Sequence, residues 1–471
     1  MVPLLITCLS AGVAIGQDKP KPAVAPAAKP APPPAKPVPA KPASPGGTTG
    51  AGTSGRSGGA KPPVVPGGGP SGKPKLPETK EPLVFHPNGG GVGKPLPGGG
   101  AEHHDPKTNL TVRTDRGGRV TQLEGPNSRG VTTRVSRMPM GERVVVTGER
   151  GNRVVSYGPN HGFIERRTLS GYLTRTHMAG GRLYAHAYFE YRYRGFAYAR
   201  YVPAFYYGPR FYAWSAAPWG VPVVYAWSGF AVPAPWLGFY AGYFSPYPAY
   251  SSPDLWLTDY LINENLKQTY EASQGDQNPQ PPGTAQPASP VLTAETKELI
   301  AAEVRRQLAE AAASTQSPVA PTGSELAPPT LSQTYFVVAS FVDIVPAGTQ
   351  GCSLTPGDVI QRTGKTVAPD GNIDMKVVSA KPGGCAANSE AAISLSALQE
   401  MHNQFREQID GGLTTLAANE GNRFPAAPPT EARAVPEGTV TPVADAASLL
   451  ADQEASANKM EDIVRQGGNK P

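Results

Sequence analysis

Cysteine is scarce in this chain: three in 471 residues, at positions 8, 352 and 385. If Cys8 leaves with an export signal, Cys352 and Cys385 remain as one pair, so a single disulfide is the expectation. Long apolar runs are missing as well. The one run of note, Val2 to Gly16, is too short to cross a bilayer as a helix and has signal-peptide length, with Ala14 and Gly16 before a cut at Gln17. The basic residue that such signals carry near Met1 is absent, and Thr7 before Cys8 makes a poor lipoprotein box. Catalytic signatures are also lacking. There is no His-Glu-x-x-His and no P-loop, and none of the seven histidines sits in a recognisable catalytic setting. The expectation is a non-catalytic chain without cofactor, metal site or transmembrane segment.

Aromatic and β-branched side chains are nearly missing between Lys19 and Gly100, where Gly and Pro fill 39 of 82 positions. Such a stretch cannot bury enough apolar surface to offset its ordering entropy, so residues 17–107 read as a disordered, partly polyproline-II tether. Lysine is absent from residues 108–266, which carry 17 Arg against 9 acidic side chains. The first 100 residues hold a net +8, and from Lys267 onward the balance turns to −9. Arg stacks on rings and grips carboxylate or phosphate with a planar fork. The basic front half therefore suits an anionic or glycan partner, or is simply a solvated surface.

Residues 108–180 read as successive β-hairpins. Leu110-Thr111-Val112-Arg113 alternates, Asp115-Arg116-Gly117-Gly118 turns, and Arg119 to Leu123 returns; Arg143–Val146 and Arg153–Val155 repeat the device around Gly148–Asn152. An aromatic block follows: 27 of the 37 Phe, Tyr and Trp lie between Tyr184 and Tyr260, including all five Trp. Leu183 to Arg194 partly alternates before Gly195, as one arm of a further hairpin would. Beyond Val202, Pro and Gly punctuate the chain and favour irregular structure. The rings must cover a glycan, another copy or the module's own interior. Tyr191, Arg192, Tyr193, Arg194, Trp214, Trp219, Trp227 and Trp236 are the candidate surface-binding residues. Arg–Tyr interleaving also suits nucleic-acid stacking, which export argues against.

Ser252-Pro253-Asp254 starts a helix running to about Tyr270. A second helix spans about 293–313, with Ile300, Val304 and Leu308 on a narrow stripe suited to pairing. Residues 332–420 form the last module. Its expected strands are 335–339, 359–360 and 373–378, and its helix is capped by a Ser396/Gln399 box and faced by Leu398, Met401, Phe405, Ile409, Leu413 and Leu416. Cys352 and Cys385 would pin it.

The fold class expected is mixed and multi-module. A signal peptide (1–16) and the tether (17–107) precede a β-hairpin and aromatic-rich module (108–272). A linker with one helix (273–331), a small α+β module with one disulfide (332–420) and a disordered tail (421–471) complete it. The remaining chemical motifs read as accidental. Gly55-Arg56-Ser57-Gly58-Gly59 lies in the tether, and Asp370, Asn372 and Asp374 begin a calcium-like loop that lacks its Gly and closing Glu. His103-His104-Asp105 reads as exposed.

Leu354-Thr355-Pro356-Gly357-Asp358-Val359-Ile360 resembles the Gly-Asp-x-Ile turn of PDZ domains, a likeness that implies a peptide-binding groove. More broadly, the aromatic block, Leu255 to Ile262, the paired-Cys module and Met401 to Glu407 together resemble an uncharacterised family of exported bacterial proteins of the kind found in acidobacteria. That resemblance spans about 110–420 and implies export and architecture, with no activity attached. An envelope-associated binding or structural protein is the leading expectation, whose partner is cell-wall glycan, another envelope protein or a second copy. An envelope hydrolase, or its accessory subunit, and a PDZ-like peptide receptor are the alternatives.

Overall fold

Side chains that hydrogen-bond their own turns set the first half of the chain. Asp115 Oδ1 accepts from the backbone N–H of Gly117 and Arg119, and Asn127 Oδ1 accepts from those of Arg129 and Val131. Arg194 and Gly195 both have positive φ, 48° and 83°, as the tightest two-residue hairpin demands. A computed structural model describes residues 83–85, 93–96, 100–137, 143–149, 152–158, 161–168, 171–179, 181–227, 234–273, 291–314, 323, 325–346, 351–419 and 423–468. The expected signal peptide, Gly55–Gly59 and the tether through residue 82 lie outside these.

The turns join an antiparallel meander of eleven strands in sequence order. It begins with β1 (Lys94–Pro95), β2 (Ala101–Asp105), β3 (Leu110–Thr114) and β4 (Val120–Pro126). It continues through β5 (Thr132–Arg137), β6 (Arg143–Glu149), β7 (Asn152–Gly158) and β8 (His161–Arg167). The last strands are β9 (Leu173–Ala179), β10 (Arg182–Tyr193) and β11 (Phe196–Val202). Here the tether reading is corrected at its C-terminal end. β1 and β2 belong to the sheet, and Leu83 is buried beside the Val84–Arg119 bridge, because an unpaired β3 edge offers them backbone partners. His103 and His104 accordingly lie in a strand, with His104 Nδ1 3.1 Å from the Thr111 hydroxyl.

Where irregular chain was expected, β12 (Phe205–Tyr207) leads into two short helices, α1 (Pro209–Ser215) and α2 (Pro235–Phe239), each opened by Pro at its first position. The expected long helices follow as α3 (Pro253–Ser273) and α4 (Ala294–Ser314). Thr293 Oγ1 caps α4 by accepting from the Thr296 N–H. Ile300, Val304 and Leu308 are fully buried in a core shared with α3.

The C-terminal strands are β13 (Tyr335–Val337), β14 (Val342–Ile344), β15 (Cys352–Leu354), β16 (Val359–Arg362), β17 (Asn372–Ser379) and β18 (Glu390–Ser394). They form a four-stranded sheet, β13-β16-β17-β18, and a β14-β15 hairpin. Cys352 and Cys385 are disulfide-bonded with Cα atoms 5.1 Å apart. α5 (Leu395–Ala418) starts two residues before the expected cap. Its N-cap is Ser394, which accepts from the Ala397 N–H, since β18 runs directly into the helix and puts the junction there.

α5 is central. Its apolar face packs both on the small sheet and on the aromatic core of α1–α4, so the stretches 108–272 and 332–420 share buried residues. The hairpin tip Tyr193–Phe196 also rests on the small sheet. Gly412 explains one oddity of the helix: a Cβ there would stand 2.4 Å from Leu257 Cδ2, so the glycine lets α3 and α5 close up.

Two further elements replace the disordered tail. β19 (Ala432–Ala434) pairs with β12, and α6 (Ala446–Gly468) lies along the meander. Ala457, Met460 and Val464 cover Leu110, Val112, Leu123, Val135 and Val145, an apolar face that would otherwise meet water. Glu454 and Glu461 of α6 pair with Arg143, and Glu461 with Arg137 at 2.6 Å. No described helix is long and apolar enough to cross a membrane.

Candidate functional site

Alternation along the strands sends one side-chain set to α6 and the other to the opposite face. On that second face Val155, Phe163, His177 and Tyr184 stand in a row across β7–β10, and Arg153, Glu165, Arg175 and His186 form the next row. α3 and α5 cross over these rows and enclose a cavity of about 600 Å³.

Rings and polar groups interleave on its wall. Tyr184 stacks on His177 at 5.1 Å, and His186 meets His177 edge-on at 5.7 Å. The Tyr188 hydroxyl lies 3.3 Å from His177 Nε2 and donates to Glu407 Oε1 on α5 at 2.5 Å. Arg175 lies 4.2 Å from the Tyr188 ring centroid and 5.1 Å from that of Phe163. Its guanidinium donates to Glu165 at 2.7 Å and bidentately to Glu400, so it is spent on structure.

Beside the Arg175 ion pairs, the imidazoles and Glu407 are held uncharged. Burial depresses His161 and His186 to about 4. Burial, followed by His186, Arg175 and His161, holds His177 well below the ordinary range. Burial pushes Glu407 up to about 8, with the Tyr188 hydrogen bond and Arg175 opposing it. Glu264 is raised by burial against Lys267. At neutral pH the wall is thus aromatic and polar, with neutral imidazoles and a protonated carboxyl at its heart.

Three buried polar atoms on this wall have no partner among the described residues: His161 Nδ1, Arg153 Nε and Gln408 Nε2. Such atoms are rare in folded proteins and are usually met by a ligand or water. Among the described residues no group of three His, Cys, Asp or Glu could hold a metal ion, so the histidines present ring faces and hydrogen-bonding edges.

The candidate surface residues lie elsewhere and do not converge. Tyr191 is buried on the α6 side of the sheet, stacked on Tyr198 at 5.7 Å. Arg192 and Arg194 are exposed near the hairpin tip, and half-buried Tyr193 packs on the small sheet. Trp219 is buried, and Trp214 borders the same core. Trp227 stacks on Trp256 at 5.8 Å and donates to Tyr250, while Trp236 donates to Asn263, each at 2.7 Å. The tryptophans are core material in this structure, with those two N–H groups already satisfied.

The cavity residues went unread in the sequence. The period-two spacing of Tyr184, His186 and Tyr188 was a usable signal, but His161 and His177 join them only through strand register. The PDZ-like turn is closed on itself. Asp358 accepts from the Thr355 N–H and hydroxyl and from Lys381 Nζ, and β16 beyond it is paired on both edges. In the calcium-like loop, Asp370 accepts from the backbone and side-chain N–H of Asn372. No family model matches this chain, and no curated protein or solved structure matches it either.

Proposed function

We propose that this chain is an exported, envelope-associated binding protein that holds a saccharide, or a comparable uncharged ring-bearing polyol, between its large sheet and α3/α5. One observation carries the reading: a cavity of about 600 Å³ in which the aromatic faces of Tyr184, Tyr188 and Phe163 adjoin polar atoms without partners. Apolar ring faces stack on C–H-rich sugar faces, and neutral donors and acceptors bind hydroxyls without the cost of burying a charge. The signal-like run Val2–Gly16, the basic Pro-rich stretch and the single disulfide support export.

The test is binding of the mature chain to purified cell-wall sacculi and to a soluble wall disaccharide, at low and high salt. Binding that survives high salt and is lost in Tyr184→Ala is expected, because stacking is not screened as exposed charges are. Binding that disappears with salt, or is untouched by Tyr184→Ala, would retire the reading.

One observation favours the hydrolase alternative. A carboxyl kept protonated to about pH 8, as Glu407 is, has the property that a general acid requires. Release of reducing ends from the same sacculi, abolished in Glu407→Gln while binding persists, would select that reading.

A further inference from the structure

A second cavity, of about 450 Å³, lies at the β11 edge of the meander and is lined from β10, β11, α4, α5 and β19. β11 is the last strand, and Asn403 of α5 serves its open edge. Asn403 Oδ1 accepts from the Tyr201 N–H at 3.0 Å and Nδ2 donates to the Ala199 carbonyl at 2.8 Å. Beside this contact three guanidinium groups gather. Arg200 stands opposite Phe189 in the β10–β11 ladder, and Arg433 stands opposite Tyr206 in the β12–β19 ladder. Arg406 reaches in from α5.

Their charges are unequally compensated. Arg406 is spent on Asp410 at 3.1 Å and on the Gln307 carbonyl. Half-buried Arg200 and exposed Arg433 have no hydrogen-bond or carboxylate partner among the described residues. The wall carboxylates do not cancel them, since Glu310 is paired with Arg306 and only Glu437 is unspent. The Tyr206 hydroxyl is raised by burial and by Asp410, with Arg406, Arg200 and Arg433 opposing the shift. His402, on the same wall, is kept neutral by burial and by Arg406 and Arg200. Gln307 Oε1 is buried there without a donor among the described residues.

An unpaired guanidinium fork calls for an oxyanion, and an orphan acceptor calls for a hydroxyl or N–H. We propose that this cavity is a binding site for an anionic sugar, one carboxylate or phosphate group held between Arg200 and Arg433 and a hydroxyl donated to Gln307. The site lies apart from the His/Tyr cavity and does not depend on what that cavity binds.

Calorimetric titration of the full chain at fixed ionic strength tests it, with glucuronate, glucose 6-phosphate and glucose as probes. Saturable binding of an anionic probe is expected, weakened by substitution of Arg200 or Arg433, while any uptake of glucose is unaffected by those substitutions. Uptake of glucose 6-phosphate alone assigns a phosphate site, and uptake of glucuronate alone a carboxylate site. Arg433→Gln removes an exposed side chain with no partner, so the fold should persist while affinity falls about tenfold or more. Arg200→Gln should do the same. Failure of both anions to saturate, or undiminished anion affinity in Arg433→Gln and Arg200→Gln, would overturn the proposal.

Discussion

Tyr188 on the sheet donates to Glu407 on α5 across 2.5 Å, and the bond closes the floor of the cavity with a carboxyl that the fold prefers protonated. The consequence is a stability slope of known sign. A buried acid whose folded pKa stands at about 8, against an ordinary 4.5, binds its proton more tightly folded than unfolded. Its contribution is full below 4.5, falls by about 1.4 kcal/mol per pH unit in between and levels off above 8. His161 and His186, depressed to about 4, act oppositely and lose stability as pH falls from 6.5. In a comparison of Glu407→Gln with the parent that histidine slope cancels. The stability difference, from urea unfolding at pH 5 and pH 8.5, should move in favour of the variant by about 3–5 kcal/mol. A difference that stays constant with pH would show that Glu407 titrates normally.

Gly412 provides a test of packing against propensity. On helix propensity alone Gly412→Ala should gain about 1 kcal/mol. The new methyl would stand 2.4 Å from Leu257 Cδ2 and 3.2 Å from the Tyr260 ring, and Leu257 is fully buried. We expect a net loss of about 1–3 kcal/mol from overpacking. Gly411→Ala meets only the Tyr260 hydroxyl at 3.3 Å and should stay within about 1 kcal/mol of the parent. Urea midpoints ranking the two variants the other way would show that α3 and α5 do not approach as closely as described.

The α3–α4 pair rests on a buried charge. Asp259 accepts from Lys297 Nζ at 2.8 Å, from the Tyr247 N–H at 2.6 Å and from the Tyr250 hydroxyl at 2.8 Å. Lys297→Met should cost about 3–5 kcal/mol at neutral pH, because the carboxylate is left uncompensated. Burial already raises the Asp259 pKa and Lys297 opposes that shift, so losing the cation raises it further. The cost should therefore shrink as pH falls and Asp259 protonates, and the Asp259→Asn, Lys297→Met double variant should recover much of it. Equal losses at pH 5 and pH 7.5 would refute the buried pair.

The sequence was most legible where the signal was local. Asp115-Arg116-Gly117-Gly118 and Arg194-Gly195 announced their turns, Ser252-Pro253-Asp254 announced α3, and the six apolar residues of α5 drew its face in advance. Cys352 and Cys385 were the one available pair and are bonded. What failed was non-local. His161, His177 and His186 carry no message until two strand registers align them, and composition alone left open whether the tryptophans cover a ligand, another copy or the module's own interior. Within the cavity only the Tyr184-His186-Tyr188 spacing was visible beforehand, and it read as a hairpin arm. For α6 the sequence supports at most a short frayed helix near Ala446 to Val464 in a disordered tail, for the same reason: its stripe of Leu450, Ala457, Met460 and Val464 is narrow, and its partners lie some 300 residues upstream.

The α6 contact itself can be broken cleanly. Gln453 Nε2 donates to the backbone carbonyls of Val145 at 2.7 Å and Val154 at 2.9 Å, while Met460 seals the apolar face behind them. Ending the chain after residue 440 would remove Ala457, Met460 and Val464 from the cluster that buries Leu123, Val135 and Val145, leaving Leu83 and Phe85 as its other cover from outside the strands. Exposed apolar sheet of this kind loses protection and associates. Hydrogen exchange should accelerate across β4–β7 in the truncated chain, while α3, α4 and the disulfide-pinned sheet keep their protection. Adding back a peptide of residues 441–471 should restore the slow exchange, since the helix docks through side chains rather than through a shared strand. Unchanged exchange in β4–β7 after truncation would mean that α6 does not cover the sheet in solution.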